Sequence, residues 1–194
     1  MSAPALPVPA WPKTALRVAF GLIWLVDATL KWLPGFRSQY LATTKGAADG
    51  QPAVLHPWFR FWIAVQSHGT MTWAYAIALA ETLIALAVIF GIARKLTYVV
   101  GALFSLLIWS VPEGFGGPYA SGATDVGTAI IYAFVFLGLL VLSAYDGPDR
   151  YSVDHLLERR ISWWWRIAEV RRPTSVEAAG AAPVVSPPTT VPVG

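Results

Sequence analysis

Two charged residues interrupt the apolar stretch GLIWLVDATLKWLPG, which runs from Gly21 to Gly35. Asp27 and Lys31 lie four residues apart, so they would share one face of a helix. A charged side chain near the centre of a lipid bilayer costs about 2.5–3.5 kcal/mol on insertion scales. Such residues usually face the protein interior or a water-filled cavity, and this pair therefore predicts a polar site within a membrane.

Two more carboxylates are predicted to lie in the same half of the membrane. Glu81 is in YAIALAETLIALAV on a returning helix, at a depth close to that of Asp27. Asp125 begins a later helix near the same surface. These groups predict a polar pocket that opens outward. The candidates for ligand binding or a proton pathway are Asp27, Lys31, Glu81, Asp125, Trp24 and Trp109.

A structural interpretation competes with the pocket. In it, Asp27 and Lys31 form an intrahelical ion pair, and Glu81 is a buried hydrogen-bonding group that fixes helix register. Asp125 then caps the helix that it begins. The sequence leaves both interpretations open.

Packing is the favoured role for several other residues. Trp24 and Trp109 are better explained by core or interface packing than by contact with a ligand. Gly101 and Ser105 give one helix face two small residues, which is typical of close helix packing.

Four apolar segments would carry these groups. Crossing a hydrocarbon core takes about 20 residues of helix, and three of the segments approach that length while the third in the chain is shorter. They cover residues 14–33, 71–92, 96–111 and 123–144. The sequence therefore predicts an all-α fold, a polytopic membrane four-helix bundle over residues 13–145.

The composition agrees with a membrane protein. Hydrophobic residues make up 56% of the 194 residues and charged residues 13%, and the mean hydropathy is +0.54. An ordinary soluble domain is about a quarter charged. The chain has no cysteine, which excludes disulfides, thiolate-held iron–sulfur clusters and thiol redox chemistry of its own. The small net charge of +3 indicates membrane topology and no nucleic-acid partner.

Basic residues predict the orientation. Lys13 and Arg17 come at the start of the first span, Arg94 and Lys95 fill the turn between the second and third, and several arginines follow the fourth. By the positive-inside rule these segments are cytoplasmic, as are both termini. The expected location is the bacterial plasma (inner) membrane, and Arg17 is expected to extend its guanidinium to the cytoplasmic surface.

The remaining segments are predicted to lie outside the bundle. Residues 1–12 form a flexible lead, and residues 173–194 form a disordered tail. HPWFRFWIAVQSHG predicts a helix on the outer surface or dipping into the bundle. Residues 146–172 predict an amphipathic helix, capped by Ser152, on the cytoplasmic membrane surface or on a partner subunit. Its membrane-surface residues are Arg159, Arg160, Trp163, Trp164, Trp165 and Arg166.

Several kinds of site are not predicted. His56, His68 and His155 all fall outside the four spans, so none is an axial haem ligand between membrane helices. There is no His–carboxylate spacing for zinc or iron, no phosphate-binding glycine loop and no nucleophile elbow. We expect no metal site and no intrinsic cofactor.

Three stretches together resemble the DoxX/DoxD group of small four-helix membrane proteins. They are LRVAFGLIWLVDATLKW at 16–32, AETLIALAVIFGIARKLTYVVG at 80–101 and SGATDVGTAIIYA at 121–133. The last is most similar to the DoxD-like branch, named for the small subunit of thiosulfate:quinone oxidoreductase. Asp27 departs from the pattern of the family, which has a small or apolar residue at this place.

Two functions follow from different arguments. The resemblance implies a membrane subunit of a quinone-linked oxidoreductase, in which Lys31, Asp27 and Glu81 bind a quinone or small anion and conduct protons. The residues alone also allow a noncatalytic membrane protein that anchors or assembles partners, or passes a small solute. Missing cysteines and span histidines favour a chain that does not catalyse alone. The expected partners are the lipid bilayer and a redox-enzyme subunit or a second copy of the chain.

Overall fold

The computed structural model describes residues 11–119, 125–146 and 149–171. These ranges are all-helical, with eight α-helices, two short 3-10 turns and no strand. The predicted disordered tail, nearly all of the predicted flexible lead and the start of the SGATDVGT stretch lie outside them. The helices are α1 Trp11–Lys31, α2 Pro34–Ala48, α3 His56–Ser67, α4 Thr70–Phe90, α5 Arg94–Ser110, α6 Thr128–Asp146, α7 Val153–Glu158 and α8 Trp165–Ala168.

Proline and glycine set the ends of these helices. Pro34 is tolerated in the first turn of α2, where its missing N–H needs no partner, and α1 ends just before it. Gly91 ends α4 in the left-handed region, with φ of 65°. A side chain at Gly91 would also place its Cβ 2.6 Å from the Cβ of Ser152, so the turn needs glycine for two reasons.

The four longest helices share one aromatic core. α1 packs along α4 and α5 packs along α6. Trp24 of α1 and Phe136 of α6 meet at a ring-centroid distance of 5.1 Å, and Val88 of α4 belongs to the same cluster. α5 approaches α6 closely, because a Cβ on Gly101 would lie 2.4 Å from the Phe136 ring. The close packing predicted for Gly101 is therefore observed.

Two of the long helices meet the requirements for a membrane span. Within the described ranges, residues Thr70–Phe90 and Thr128–Tyr145 are long and apolar enough to cross a membrane. Only 33% of the apolar stretch in the first of these helices, and 28% of that in the second, is buried inside the protein. Most of this apolar surface therefore faces outward.

The helices alternate in direction and so define two ends. The end where α1 and α5 finish, with α2, α3 and the loop 111–119 beside it, is called the cavity end below. At the opposite end, called the arginine end, the chain after α6 folds back against the start of α5.

The C-terminal segment differs from the single amphipathic helix that was predicted. It forms the short helices α7 and α8, joined by turns. Asp154 and Glu169 both bind Arg94. In one continuous helix these two carboxylates would be about 22 Å apart, so the segment must turn to bring both to the same arginine.

Candidate functional site

The cavity end brings three of the predicted residues together. Lys31 Nζ lies 3.1 Å from Asp27 Oδ1 and 3.6 Å from Glu81 Oε2. The exposed side-chain fraction falls from 35% for Asp27 through 20% for Lys31 to 1% for Glu81. The Lys31 ammonium therefore lies between the partly solvated carboxylate of Asp27 and the buried carboxylate of Glu81.

Glu81 is the unusual member of this group. Neither of its carboxylate oxygens has a hydrogen-bond partner within the described residues, and its contact with Lys31 is an ion pair at 3.6 Å. Buried polar atoms in folded proteins are nearly always hydrogen-bonded. Both acceptor oxygens therefore remain available to a ligand or to water.

A cavity of about 340 Å³ lies beside Glu81 and Lys31. Its walls are mainly aromatic and aliphatic side chains from α2, α3, α4 and α5, with a few polar groups. This composition is typical of small-molecule sites. The lining residues are Lys31, Phe36, Tyr40, Thr43, Thr44, Trp62, Gln66, Trp73, Ile77, Glu81, Phe104, Leu107, Ile108, Val111, Pro112 and Glu113.

Helices α2 and α3 contribute polar groups that the sequence analysis did not single out. The Trp62 Nε1–H is buried and has no partner among the described residues. The Thr44 hydroxyl donates to Gln66 Oε1 at 2.8 Å and ties α2 to α3. Burial raises the pKa of Tyr40 to about 12, which keeps this phenol neutral. The Trp-rich stretch of α3 was the available signal for Trp62 and Gln66.

Glu113 is a further residue that the sequence analysis missed. It lines the cavity, and its carboxylate accepts the N–H of Ala129 at 3.0 Å in the first turn of α6. Burial raises the pKa of Glu113 above its ordinary value, although the Ala129 N–H opposes the shift. Glu113 thus fills the capping role that was considered for Asp125, whose Oδ1 instead accepts the N–H of Gly127 at 2.7 Å.

The two tryptophan candidates do not line the cavity. Trp24 is buried in the aromatic core, where it packs on Tyr132 and Phe136. Trp109 donates its Nε1–H to the Val126 carbonyl at 2.7 Å and packs against Phe115. Their positions support the packing interpretation.

The arginine end contains a buried ionic cluster. Arg17 is 1% exposed, so the prediction that it extends to the surface is wrong. Its guanidinium donates to the Val88 carbonyl at the end of α4, to the Tyr151 carbonyl and to Asp149. Burial opposes ionisation of Asp149, but hydrogen bonds and the charge of Arg17 lower its pKa below the ordinary value. Arg17 therefore attaches the C-terminal segment to α1 and α4.

Arg94 makes the second attachment. Asp154 accepts from the backbone N–H groups of Ala93 and Arg94 and from Arg94 Nε, while Arg94 Nη2 donates to Glu169. The Trp164 Nε1–H also donates to Asp154, at 2.8 Å. Asp154 thus caps α5 from a distant part of the chain.

The predicted membrane-surface residues separate into two groups. Trp164 and Trp165 are half-buried, and Trp164 is turned toward Asp154. The other four are exposed, and they are Arg159, Arg160, Trp163 and Arg166. Among the residues that the structure covers, no group of three or more His, Cys, Asp or Glu side chains could hold a metal ion.

Comparison with protein-family models, with curated proteins and with solved structures gives no match to this chain.

Proposed function

We propose that the chain is a polytopic membrane protein whose four longest helices form a membrane-spanning bundle. Large apolar side chains on each of these helices point away from the core. Leu22, Leu83, Leu103 and Phe134 are each at least half exposed. An apolar belt of this kind is unfavourable in water but is suited to the hydrocarbon of a bilayer.

The proposed orientation puts the arginine end in the cytoplasm and the cavity end outside, in the bacterial plasma membrane. The exposed charges described between 149 and 171 are all basic, whereas Asp149, Asp154 and Glu169 are buried. This surface fits the positive-inside rule. It would also meet anionic headgroups, with Trp163 in the interfacial layer.

Orientation can be tested with single cysteines because the chain contains none. Tyr119→Cys and Ser162→Cys are exposed positions on opposite ends. An impermeant thiol reagent added to intact cells should label Tyr119→Cys alone. Labelling of Ser162→Cys alone would reverse the orientation.

We further propose that the cavity binds a small molecule of the quinone class for a redox partner subunit. The observation that carries this proposal is the buried, hydrogen-bond-free carboxylate of Glu81 beside Lys31 in an aromatic-walled cavity. Flat apolar walls suit a ring, and the Trp62 N–H and the Lys31 ammonium suit its oxygens. A bound quinone would supply two-electron, two-proton chemistry. Lys31 and Trp62 would hold the ring oxygens, and the Glu81 carboxylate would accept a proton from the reduced ring.

Membership of the DoxX/DoxD group is part of this proposal. The cavity contains Lys31 and Glu81, which both lie in the stretches that resemble the family. The proposal assigns electron transfer to a partner, since this chain has no cysteine.

A noncatalytic role as an anchor, assembly protein or solute conduit is the second candidate. The observation that favours it is the Asp27–Lys31 hydrogen bond at 3.1 Å, which satisfies both charges within α1. In this role the pair stabilises α1, and no ligand is required.

Purification from native membranes separates the two functions. Gentle extraction, followed by analysis of bound lipids and co-purifying chains, should recover quinone and a redox subunit with the unchanged protein. Lys31→Met should lose the quinone, whereas the matched change Lys95→Met at the arginine end should retain it. Quinone-free protein in all three preparations would favour the anchor or conduit.

A further inference from the structure

The cavity wall contains hydrogen-bond acceptors that lack a donor among the described residues. Glu81 contributes two buried oxygens without a donor. Lys31, the nearest ammonium, already contacts Asp27 at 3.1 Å and Glu81 at 3.6 Å. Glu113 adds a second carboxylate to the wall. A ligand that brings only acceptor oxygens would therefore leave Glu81 without a hydrogen bond.

One donor in the wall also lacks a partner. The Trp62 Nε1–H is buried and unpaired within the described residues, and Trp62 and Glu81 both line the cavity. A ligand suited to both groups has a hydrogen to donate to Glu81 and an oxygen to accept from Trp62. The neighbouring rings of Phe36, Trp73 and Phe104 favour a flat molecule.

The geometry around Glu81 fits this assignment. The ion pair with the Lys31 ammonium, at 3.6 Å, leaves both Glu81 oxygens without a hydrogen-bond donor among the described residues. An ionised carboxylate only accepts hydrogen bonds, and bonds to a charged acceptor are about twice as strong as neutral ones.

We propose that the cavity selects a hydroxylated aromatic ring, a hydroquinone or related phenol, over the oxidised quinone. The ligand hydroxyl donates to Glu81, and a second ring oxygen accepts from Trp62. This inference rests on the proposed ligand-binding function of the cavity and specifies the redox state that it prefers.

Four probes of one alkyl-substituted ring test the proposal: the 1,4-hydroquinone, its monomethyl ether, its dimethyl ether and the 1,4-benzoquinone. Binding to the full-length protein in detergent is measured by calorimetry without oxygen. The hydroquinone should bind about 10- to 100-fold more tightly than the quinone and the dimethyl ether, as expected for a hydrogen bond to a charged group. The monomethyl ether keeps one hydroxyl and should retain most of the affinity.

Two substitutions test which residues cause the preference for the hydroquinone over the quinone. Glu81→Gln supplies both a donor and an acceptor, so the preference for hydroquinone should fall to about twofold. Trp62→Phe should weaken binding of the hydroquinone and of the quinone by a similar factor of about 2 to 10, because each has an oxygen that accepts the lost N–H. Trp163→Phe is the matched control on the exposed surface at the other end, and it should change nothing.

The outcomes distinguish failure of this inference from failure of the proposed function. Equal affinity for all four probes, or tighter binding of the quinone, would overturn the hydroxyl selection and leave the quinone-class site. Binding of none of them would overturn both. The probe series needs no variant, so it decides the question even if Glu81→Gln fails to fold.

Discussion

Both ends of the molecule bury ionic groups, but they satisfy them differently. At the arginine end, Asp154 accepts hydrogen bonds from two backbone N–H groups, from Arg94 Nε and from Trp164. At the cavity end, Glu81 accepts none within the described residues and borders an open volume of about 340 Å³. The first arrangement is paired and packed apart from Arg94 Nη1 and Glu158 Oε1, while in the second both oxygens of one carboxylate lack a donor beside a cavity.

This difference indicates what each cluster does. A network with many hydrogen bonds in a low-dielectric interior favours one conformation, as expected of the contacts that hold α7 and α8. A buried carboxylate without donors requires an explanation, and a ligand or ordered water would provide one. The arginine end is therefore interpreted as structural, and the cavity end is the place where we propose a ligand.

Removing the guanidinium at the arginine end should have the largest effect. Arg94→Met leaves Asp154 and Glu169 buried without their cation. Breaking a buried ion pair by removing one partner costs about 3–5 kcal/mol. Thermal unfolding in detergent should show this loss, and a stability within 1 kcal/mol of the unchanged protein would contradict the structural role.

The turn at Gly91 should be nearly as sensitive. Gly91→Ala forces a side chain into φ of 65° and against Ser152 and Arg17, which should cost about 2–3 kcal/mol. Gly138→Ala is the matched control, since a Cβ there meets nothing within 4 Å. In the same unfolding measurement Gly138→Ala should be neutral or slightly stabilising. Equal losses in both variants would argue against a tight fit at Gly91.

Stability should also depend on pH through Glu169. Burial raises its pKa from 4.5 to about 7, and the charge of Arg94 opposes this shift. Between these pH values the folded state keeps a proton that the unfolded chain has lost. The free energy of unfolding should therefore fall by about 1–3 kcal/mol as pH rises from 4.5 to 7. Unfolding curves at pH 5 and pH 8 measure the change, and Glu169→Gln should reduce it. An unchanged pH dependence in that variant would exclude Glu169 as the source.

At the cavity end, substitution should affect ligand binding more than stability. Lys31→Met should change stability by only about 0–1 kcal/mol, because Asp27 is partly solvated and one carboxylate can take up a proton. Binding of the hydroquinone probe should nevertheless fall about tenfold. The double change Asp27→Asn with Lys31→Met should recover stability but not binding. Recovery of both would support the purely structural ion pair.

The smallest effect is expected at the exposed tryptophan. Trp163→Ala removes a side chain without a described hydrogen bond and should alter stability by less than about 0.5 kcal/mol. Trp164→Ala removes the donor to Asp154 and should expose the C-terminal segment to protease from the arginine end. Equal protease sensitivity of the two variants would mean that Trp164 does not hold the segment.

Much of the helical framework could be predicted from local sequence. Long apolar runs, Pro34 and Gly91 put α1, α4, α5 and α6 within a few residues of their predicted bounds. Helical spacing and depth also predicted that Asp27, Lys31 and Glu81 converge. Glu113, by contrast, reaches the cavity and the start of α6 only because the loop 111–119 folds back, and no local pattern specifies that path.

The sequence by itself determined the helix periodicity, the apolar surface and the position of each charged residue along its helix, because these depend on spacing along one helix. Only the tertiary structure decided which charges are satisfied. The local sequence indicates surface positions for Arg17 and Arg94. Both are instead buried, and each binds a carboxylate more than 50 residues away along the chain. Hydrogen-bond satisfaction depends on contacts between distant segments, and so does the cavity beside Glu81. Those contacts form only when the helices and the C-terminal segment pack together.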